Sequence, residues 1–268
     1  MPLGAIHRAL LVACAAAALV GCAAQPAAPA VTLLSPASRL AVLQLSPGPS
    51  DDALRRVFHA GEKQVPAEAL AADRRALQQQ VQVSLQQALG RARLPVLASA
   101  QAVPVGASEP MQVGQPMDAA SLAALRAWYP ADAYLRVRVT DYGLTPASWK
   151  SAYITFEVVT TLAIGTALYV HKATRPLAGI YLIEEGVEEY SEGYAGWWLL
   201  NRLSRPVRIE ADLVDGSSGR LLWRDSATGM AAWSWGHLWH MDDATRDGLL
   251  QESIDRMTDE LVIELEGK

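Results

Sequence analysis

The sequence predicts an α/β protein: a mixed, mainly antiparallel sheet flanked by helices, with a partly helical apolar insertion. Three observations carry this. Residues 131–143 alternate with period two. Ala133, Leu135, Val137 and Val139 point one way, and Tyr134, Arg136, Arg138 and Thr140 point the other, as in a half-buried strand with one wet face. Residues 207–213 answer it, with Val207, Ile209, Ala211 and Leu213 on one face and Arg208, Glu210 and Asp212 on the other. Antiparallel pairing sets Arg136 and Arg138 across from Glu210 and Asp212, worth about 0.2–1 kcal/mol per contact. Stretches of helical periodicity before and after these strands supply the flanking layer.

The elements follow in order. Residues 38–45 are apolar enough for a central strand, and Pro47, Gly48 and Pro49 make a turn. Residues 51–58 form a short helix or an ordered loop. Residues 66–89 give the clearest helix, with Pro66 in its first turn, Leu70, Leu77, Val81, Leu85 and Leu89 on one stripe, and Gly90 just past its end. Residues 94–97 are a second strand and 98–115 a loop. Asp118 or Ser121 caps a helix that runs through Trp128 and stops at Pro130. The organising strand covers 133–142. Residues 207–213 and 220–224 form a hairpin around Asp215-Gly216-Ser217-Ser218-Gly219. A last helix spans about 243–265, with Leu250, Ile254, Met257, Leu261 and Leu265 as its stripe.

Composition narrows the function classes. The 268 residues carry a net charge of −5 and no basic block, which argues against nucleic acid as a ligand. The first 21 residues have the three parts of a secretory signal: Arg8, an uncharged apolar run over 9–20, and small residues at the end. The run is shorter than the roughly 20 residues of a spanning helix. Leu19-Val20-Gly21-Cys22 resembles the lipobox of bacterial lipoproteins, which implies cleavage between Gly21 and Cys22 and acylation of the Cys22 thiol. Several acyl chains at about 0.8 kcal/mol per buried CH2 make a permanent anchor. Cys14 lies in the leader, so the mature chain has no second thiol for a disulfide. Ala23 stands where an Asp would resemble an inner-membrane retention signal, which implies the outer membrane. Residues 22–37 are Ala/Pro-rich and read as a tether. Residues 38–268 then form one domain, with an insertion at 151–205.

The strand motifs Ala131-Asp132-Ala133-Tyr134-Leu135 and Val139-Thr140-Asp141-Tyr142-Gly143, followed by Ala211-Asp212-Leu213-Val214-Asp215 and Ser218-Gly219-Arg220-Leu221-Leu222-Trp223, resemble an uncharacterised family of bacterial outer-membrane lipoproteins of the transport-auxiliary type. Their domain looks like the N-terminal domain of TolB. The curli-secretion and peptidoglycan-synthase-activator lipoproteins are more distant likenesses. The resemblance implies envelope assembly or transport through protein contacts, with the domain facing the periplasm. It brings no catalytic residues.

The insertion departs from that pattern. Residues 158–170 are thirteen without charge, Lys172 and Arg175 interrupt, and 176–183 are a second apolar run before Glu184, Glu185, Glu188 and Glu189. Residues 193–200 are a third run, containing Trp197 and Trp198. None of the runs reaches spanning length. Three readings stay open: a buried or helix-packing insert; an interfacial element with Trp197 and Trp198 at headgroup depth and Lys172 and Arg175 snorkelling; or a partner-binding or oligomer-forming surface. The glutamate spacing suits a solvated helix face better than a Ca2+ site. A membrane-barrel role like that of the curli-type likeness needs a second hairpin of at least about 20 residues. Residues 230–241 are too few for it.

Residues 233–240 hold Trp233, Trp235 and Trp239 with His237 and His240. They read as an aromatic cap on the last helix or a protein-contact patch in preference to a metal site with Asp242 or Asp243. Trp197, Trp198, Trp233, Trp235 and Trp239 are thus the candidate interface residues. There is no Gly-x-Ser-x-Gly, no phosphate-binding glycine loop and no His-Glu-x-x-His. Asp132 and Asp141 lie about 30 Å apart on an extended strand, too far for a carboxylate pair. The sequence therefore points to a non-enzyme without a cofactor. It reads as a lipid-anchored binding or adaptor component of an envelope transport or assembly system, with a homo-oligomeric secretion or translocation component as the alternative.

Overall fold

The computed structural model describes residues 39–44, 48–92, 96–100, 112–170, 172–232 and 234–266. The expected leader, Cys22 and the tether lie outside the described residues. The chain divides into two compact units, with Ala147–Leu199 forming one and the flanking sequence the other.

The flanking unit is built on a sheet of order β2-β1-β3-β4-β5. Its strands are β1 (Leu40–Gln44), β2 (Val96–Ala100), β3 (Ala133–Tyr142), β4 (Val207–Asp215) and β5 (Leu221–Gly229). β1 pairs parallel with β2 and β3, while β3–β4 and β4–β5 are antiparallel and carry the longer strands. The parallel pairs need crossovers, and helices supply them: α1 (Asp51–Phe58) and α2 (Ala67–Arg91) before β2, and α3 (Ala119–Trp128) before β3. Ser50 caps α1 through its hydroxyl, and the Asp118 carboxylate caps α3 by accepting from the Ala120 and Ser121 N–H groups. The short α6 (Trp235–Trp239) and the long α7 (Asp243–Glu266) close the chain.

The main core lies on one face of the sheet. Leu135, Val137, Ile209, Ala211 and Leu213 meet Leu77, Val81, Leu85 and Leu89 of α2 and Leu250, Ile254, Met257 and Leu261 of α7. The alternation read from the sequence thus selects the core face. The opposite face differs from expectation, because it is not wet throughout. Ala41, Leu43, Tyr134 and Val214 are covered there by Leu122 and Leu125 of α3, with Val113 and Met117. Arg136 is 1% exposed and Asp212 fully buried.

Boundaries also move: β4 runs to Asp215 and β5 to Gly229, past the expected 213 and 224. α2 runs through Gly90 to Arg91, and the Ala92 N–H closes its last turn on the Ala88 carbonyl, so Gly90 is a helical residue and not a terminator. β2, described over Val96–Ala100, takes three residues (98–100) assigned to the loop, because its partner β1 sets the register at Leu40↔Val96 and Leu43↔Ala100, while residues 94 and 95 lie outside the described residues.

Candidate functional site

The inserted unit is a hairpin of two long helices, α4 (Ala147–Val170) and α5 (Arg175–Leu199), continued by a π-helical turn over Leu200–Ser204. Apart from the turn at 172–174, the described residues of the insertion through Ser204 are helical. Thr145 and Asn201 flank it in sequence, and they are bonded: the Thr145 N–H donates to Asn201 Oδ1 at 2.5 Å and the Thr145 hydroxyl at 2.8 Å. The chain enters and leaves the hairpin at one place. The Arg205 N–H closes the π turn on the Leu200 carbonyl at 3.0 Å.

At the far turn, the Thr174 hydroxyl donates to the Leu168 carbonyl at 2.7 Å. Arg175 Nε donates to the Tyr169 carbonyl at 3.1 Å, with the guanidinium 4.7 Å over the Tyr169 ring. Small residues line the seam between the helices. Thr161, Gly165 and Ala178 are buried in it. A Cβ at Gly165 would run into Leu182, and one at Gly193 into Tyr153. Near the base, Tyr153 meets Trp197 edge-on at 6.1 Å, and Lys150 Nζ lies 5.6 Å over the Trp197 ring.

Apart from Leu182, Tyr153 and Trp197, most of the large apolar side chains point outward instead. Ile154, Phe156, Val158, Val159, Leu162, Ile164, Tyr169 and Val170 of α4 are all exposed. On α5, Ile180, Ile183 (73% exposed), Val187, Tyr194 and Trp198 follow spacings of three, four and seven residues and so share one face. Glu184, Glu188 and Glu192 are exposed at successive four-residue steps and make an acidic stripe beside it. None of the three forms an ion pair among the described residues. An amphipathic hairpin in water puts its large apolar residues in the seam; this one reverses the arrangement.

The insert packs helix on helix, through Gly165 against Leu182 and Tyr153 against Trp197, but the expectation of burial fails, since α4 buries only Thr161 and Gly165. The view that nothing in the insertion reaches spanning length also fails: α4 is long and apolar enough to cross a membrane. The thirteen-residue run missed this because Lys150 and Glu157 punctuate an apolar helix of 24 residues without ending it. Of the candidate interface residues, Trp197 is half-buried against Tyr153, Trp198 is 47% exposed, and Trp239 at the end of α6 is 77% exposed. Trp235 starts α6. Trp233 lies outside the described residues, as do Gly21 and Cys22. Among the described residues, no group of three or more His, Cys, Asp or Glu could hold a metal ion, the set His237, His240, Asp242 and Asp243 included.

The charged network of the sheet is structural. Arg136 grips Asp212 with two bonds, Nε–Oδ1 at 2.7 Å and Nη2–Oδ2 at 2.6 Å. Its Nη2 also donates to the Gln115 carbonyl, and the Gly114 N–H donates to Asp212, both at 2.5 Å. Arg138 pairs with Glu210 at 2.8 Å. Asp132 accepts from the Arg39 N–H and Nε, which holds its carboxyl below the ordinary value. Arg205 has φ 46° and is buried, with Nε and Nη2 lacking hydrogen-bond partners. Burial lowers its guanidinium to about 10, and neighbouring Arg246 adds to the effect.

No family model matches the chain, and no curated protein matches it. Among solved structures, the chain is similar to a PelC dodecamer from Paraburkholderia phytofirmans (TM-score 0.36, 11% identity, covering 90% of this chain and 93% of that one). It is similar to the hypothetical protein CT253 from Chlamydia trachomatis (0.37, 9%, 86% and 97%) and to protein XCC0632 from Xanthomonas campestris (0.35, 13%, 87% and 90%). Likenesses at these values assign no activity.

Proposed function

We propose that this chain is a lipid-anchored envelope protein, held at the outer membrane through Cys22 with its folded domain on the periplasmic side, and that it acts by binding rather than catalysis in a transport or assembly system. The observation that carries the reading is the exposed apolar surface of the α4–α5 hairpin. A patch of this kind on a secreted domain marks a contact surface. The lipobox resemblance at Leu19-Val20-Gly21-Cys22 supplies the anchor. Trp197, Trp198, Trp233, Trp235 and Trp239 are the aromatic anchors proposed for the contacts.

A second reading, in which copies of the chain assemble through the hairpin into a secretion or translocation component, is favoured by the acidic stripe lying beside an apolar one on α5. Crosslinking in intact cells tests both, comparing the full chain with one lacking residues 147–199 and recovering products through the C-terminus. Recovery of other envelope proteins, lost on deletion, supports the binding component. A ladder of self-crosslinked chains alone overturns it in favour of the assembly.

A further inference from the structure

We infer that the α4–α5 hairpin crosses a lipid bilayer, and that copies of the chain turn its acidic stripe toward shared water. The inference rests on the reading of the hairpin as the working surface, and names lipid as what covers it.

The first argument is the spacing of the anchors. Trp149 and Lys150 stand near the base of α4, and Tyr169 stands near its far end, with Lys172 and Arg175 in the turn. Trp149 and Tyr169 are twenty residues apart, about 30 Å along a helix, which is the thickness of the hydrocarbon core. On α5, Arg175 and Trp197 are separated by about 33 Å on the same count. Aromatic rings and cations at both ends of an apolar span are the interfacial belts of a membrane helix.

The second argument is the inside-out packing. Small residues in the seam with large aliphatic ones outside is how helices pair in lipid, where no hydrophobic force draws large side chains inward. Thr160 donates its hydroxyl to the carbonyls of Phe156 and Glu157 at 2.9 and 3.0 Å, as a hydroxyl in lipid must. Between Lys150 and the turn, α4 carries one charge, Glu157, and that side chain is half-buried.

The third argument is topological. The chain enters and leaves the hairpin at the hydrogen-bonded pair Thr145 and Asn201. If α4 crosses, α5 must return, and α5 carries Glu184, Glu185, Glu188, Glu189 and Glu192 in its central and base-side turns. Carboxylates at bilayer depth face a water-filled space or a polar partner. Glu188 and Glu192 lie to one side of the stripe of Ile180, Ile183 and Val187, and Glu184 sits on its border, four residues after Ile180. One hairpin cannot enclose water, so the stripe requires further copies.

Site-directed spin labelling of the full, lipid-modified protein tests this. Single cysteines at Val158→Cys, Leu162→Cys and Glu188→Cys are labelled and reconstituted into vesicles of phosphatidylethanolamine and phosphatidylglycerol. At 158 and 162, collisions with oxygen should exceed those with a water-soluble nickel chelate. At 188 the order should reverse, with dipolar broadening between labels of neighbouring chains. Nickel access at 158 and 162 overturns the inference, because those positions then face water. Shielding of both from either reagent also overturns it, because protein then covers them. Loss of broadening at 188 overturns the shared-water arrangement. Far-UV circular dichroism identifies any variant that fails to fold, and the two α4 positions check one another. Failure of the anchor reading is separable, since it appears as a second label on an unmodified Cys22.

Discussion

Arg136 and Asp212 face each other across β3 and β4 with almost no exposure, joined by two hydrogen bonds and braced by the Gly114 and Gln115 backbone. Removing one partner strands a buried charge. Asp212→Ala should cost about 3–5 kcal/mol, read from the denaturant midpoint, while the double replacement Arg136→Met with Asp212→Leu should recover most of it. Asp215, in the β4–β5 turn, answers to pH. Hydroxyl and amide donors from Ser217 and Ser218 hold its carboxyl at about 2, against an ordinary value of 3.8. Its folded-state pKa is depressed, so its stabilising contribution is present above 3.8 and lost as pH falls toward 2. Ser217→Ala should raise that pKa in an NMR titration and shrink the acid-side loss. His59 has the opposite sign. Bonds to Glu62 and then Asp73 raise its pKa above 6.5, so its contribution is full below 6.5 and fades as pH rises through the raised value. The pairing of Arg136 with Asp212 was legible because a period of two assigns faces without reference to the rest of the fold. Its burial was not, because the Gly114 and Gln115 backbone that binds the pair lies in a stretch without periodicity, which the strand pattern does not reach.

At the level of elements, the closest approach is that of α7 to β5. A Cβ at Gly229 would strike the Ser253 carbonyl and the Met257 N–H, both backbone groups that cannot swing aside. Gly229→Ala should therefore lose at least about 1–3 kcal/mol, the cost of overpacking, as a lowered thermal midpoint. The N-terminus of α3 depends on Asp118, whose carboxylate accepts from Ala120 and Ser121. Asp118→Ala should cost about 1 kcal/mol, with helix content elsewhere unchanged. The stripes of α2 and α7 were readable because both feed one core against the sheet, where the two helices also meet, as the Ser84–Asp255 hydrogen bond shows. The hairpin helices were harder to see. Their charges break the apolar runs, and only the backbone reveals that the runs belong to two helices of 24 and 25 residues.

For the whole molecule, the hydrogen bonds between Thr145 and Asn201 imply that the sheet unit closes without its insertion. Replacing residues 147–199 by a short Gly/Ser link should leave one cooperative unfolding transition, since β3 and β4 stay paired from Ala133↔Asp215 to Tyr142↔Val207. The same deletion should remove the need for detergent in a form lacking the acyl anchor, measured as the soluble fraction after ultracentrifugation. By itself the sequence determined the strand faces, the sheet-packing stripes of α2 and α7, the charge pairs across β3 and β4, and the lipobox resemblance. These are local patterns of spacing, or matches between two short segments. Only the tertiary structure decided that the second face of the sheet is covered near β1 and β3, and that the insertion is one helical hairpin with small residues inside and large apolar residues outside. Which side of a helix is buried depends on what lies against it, and no spacing within one segment carries that.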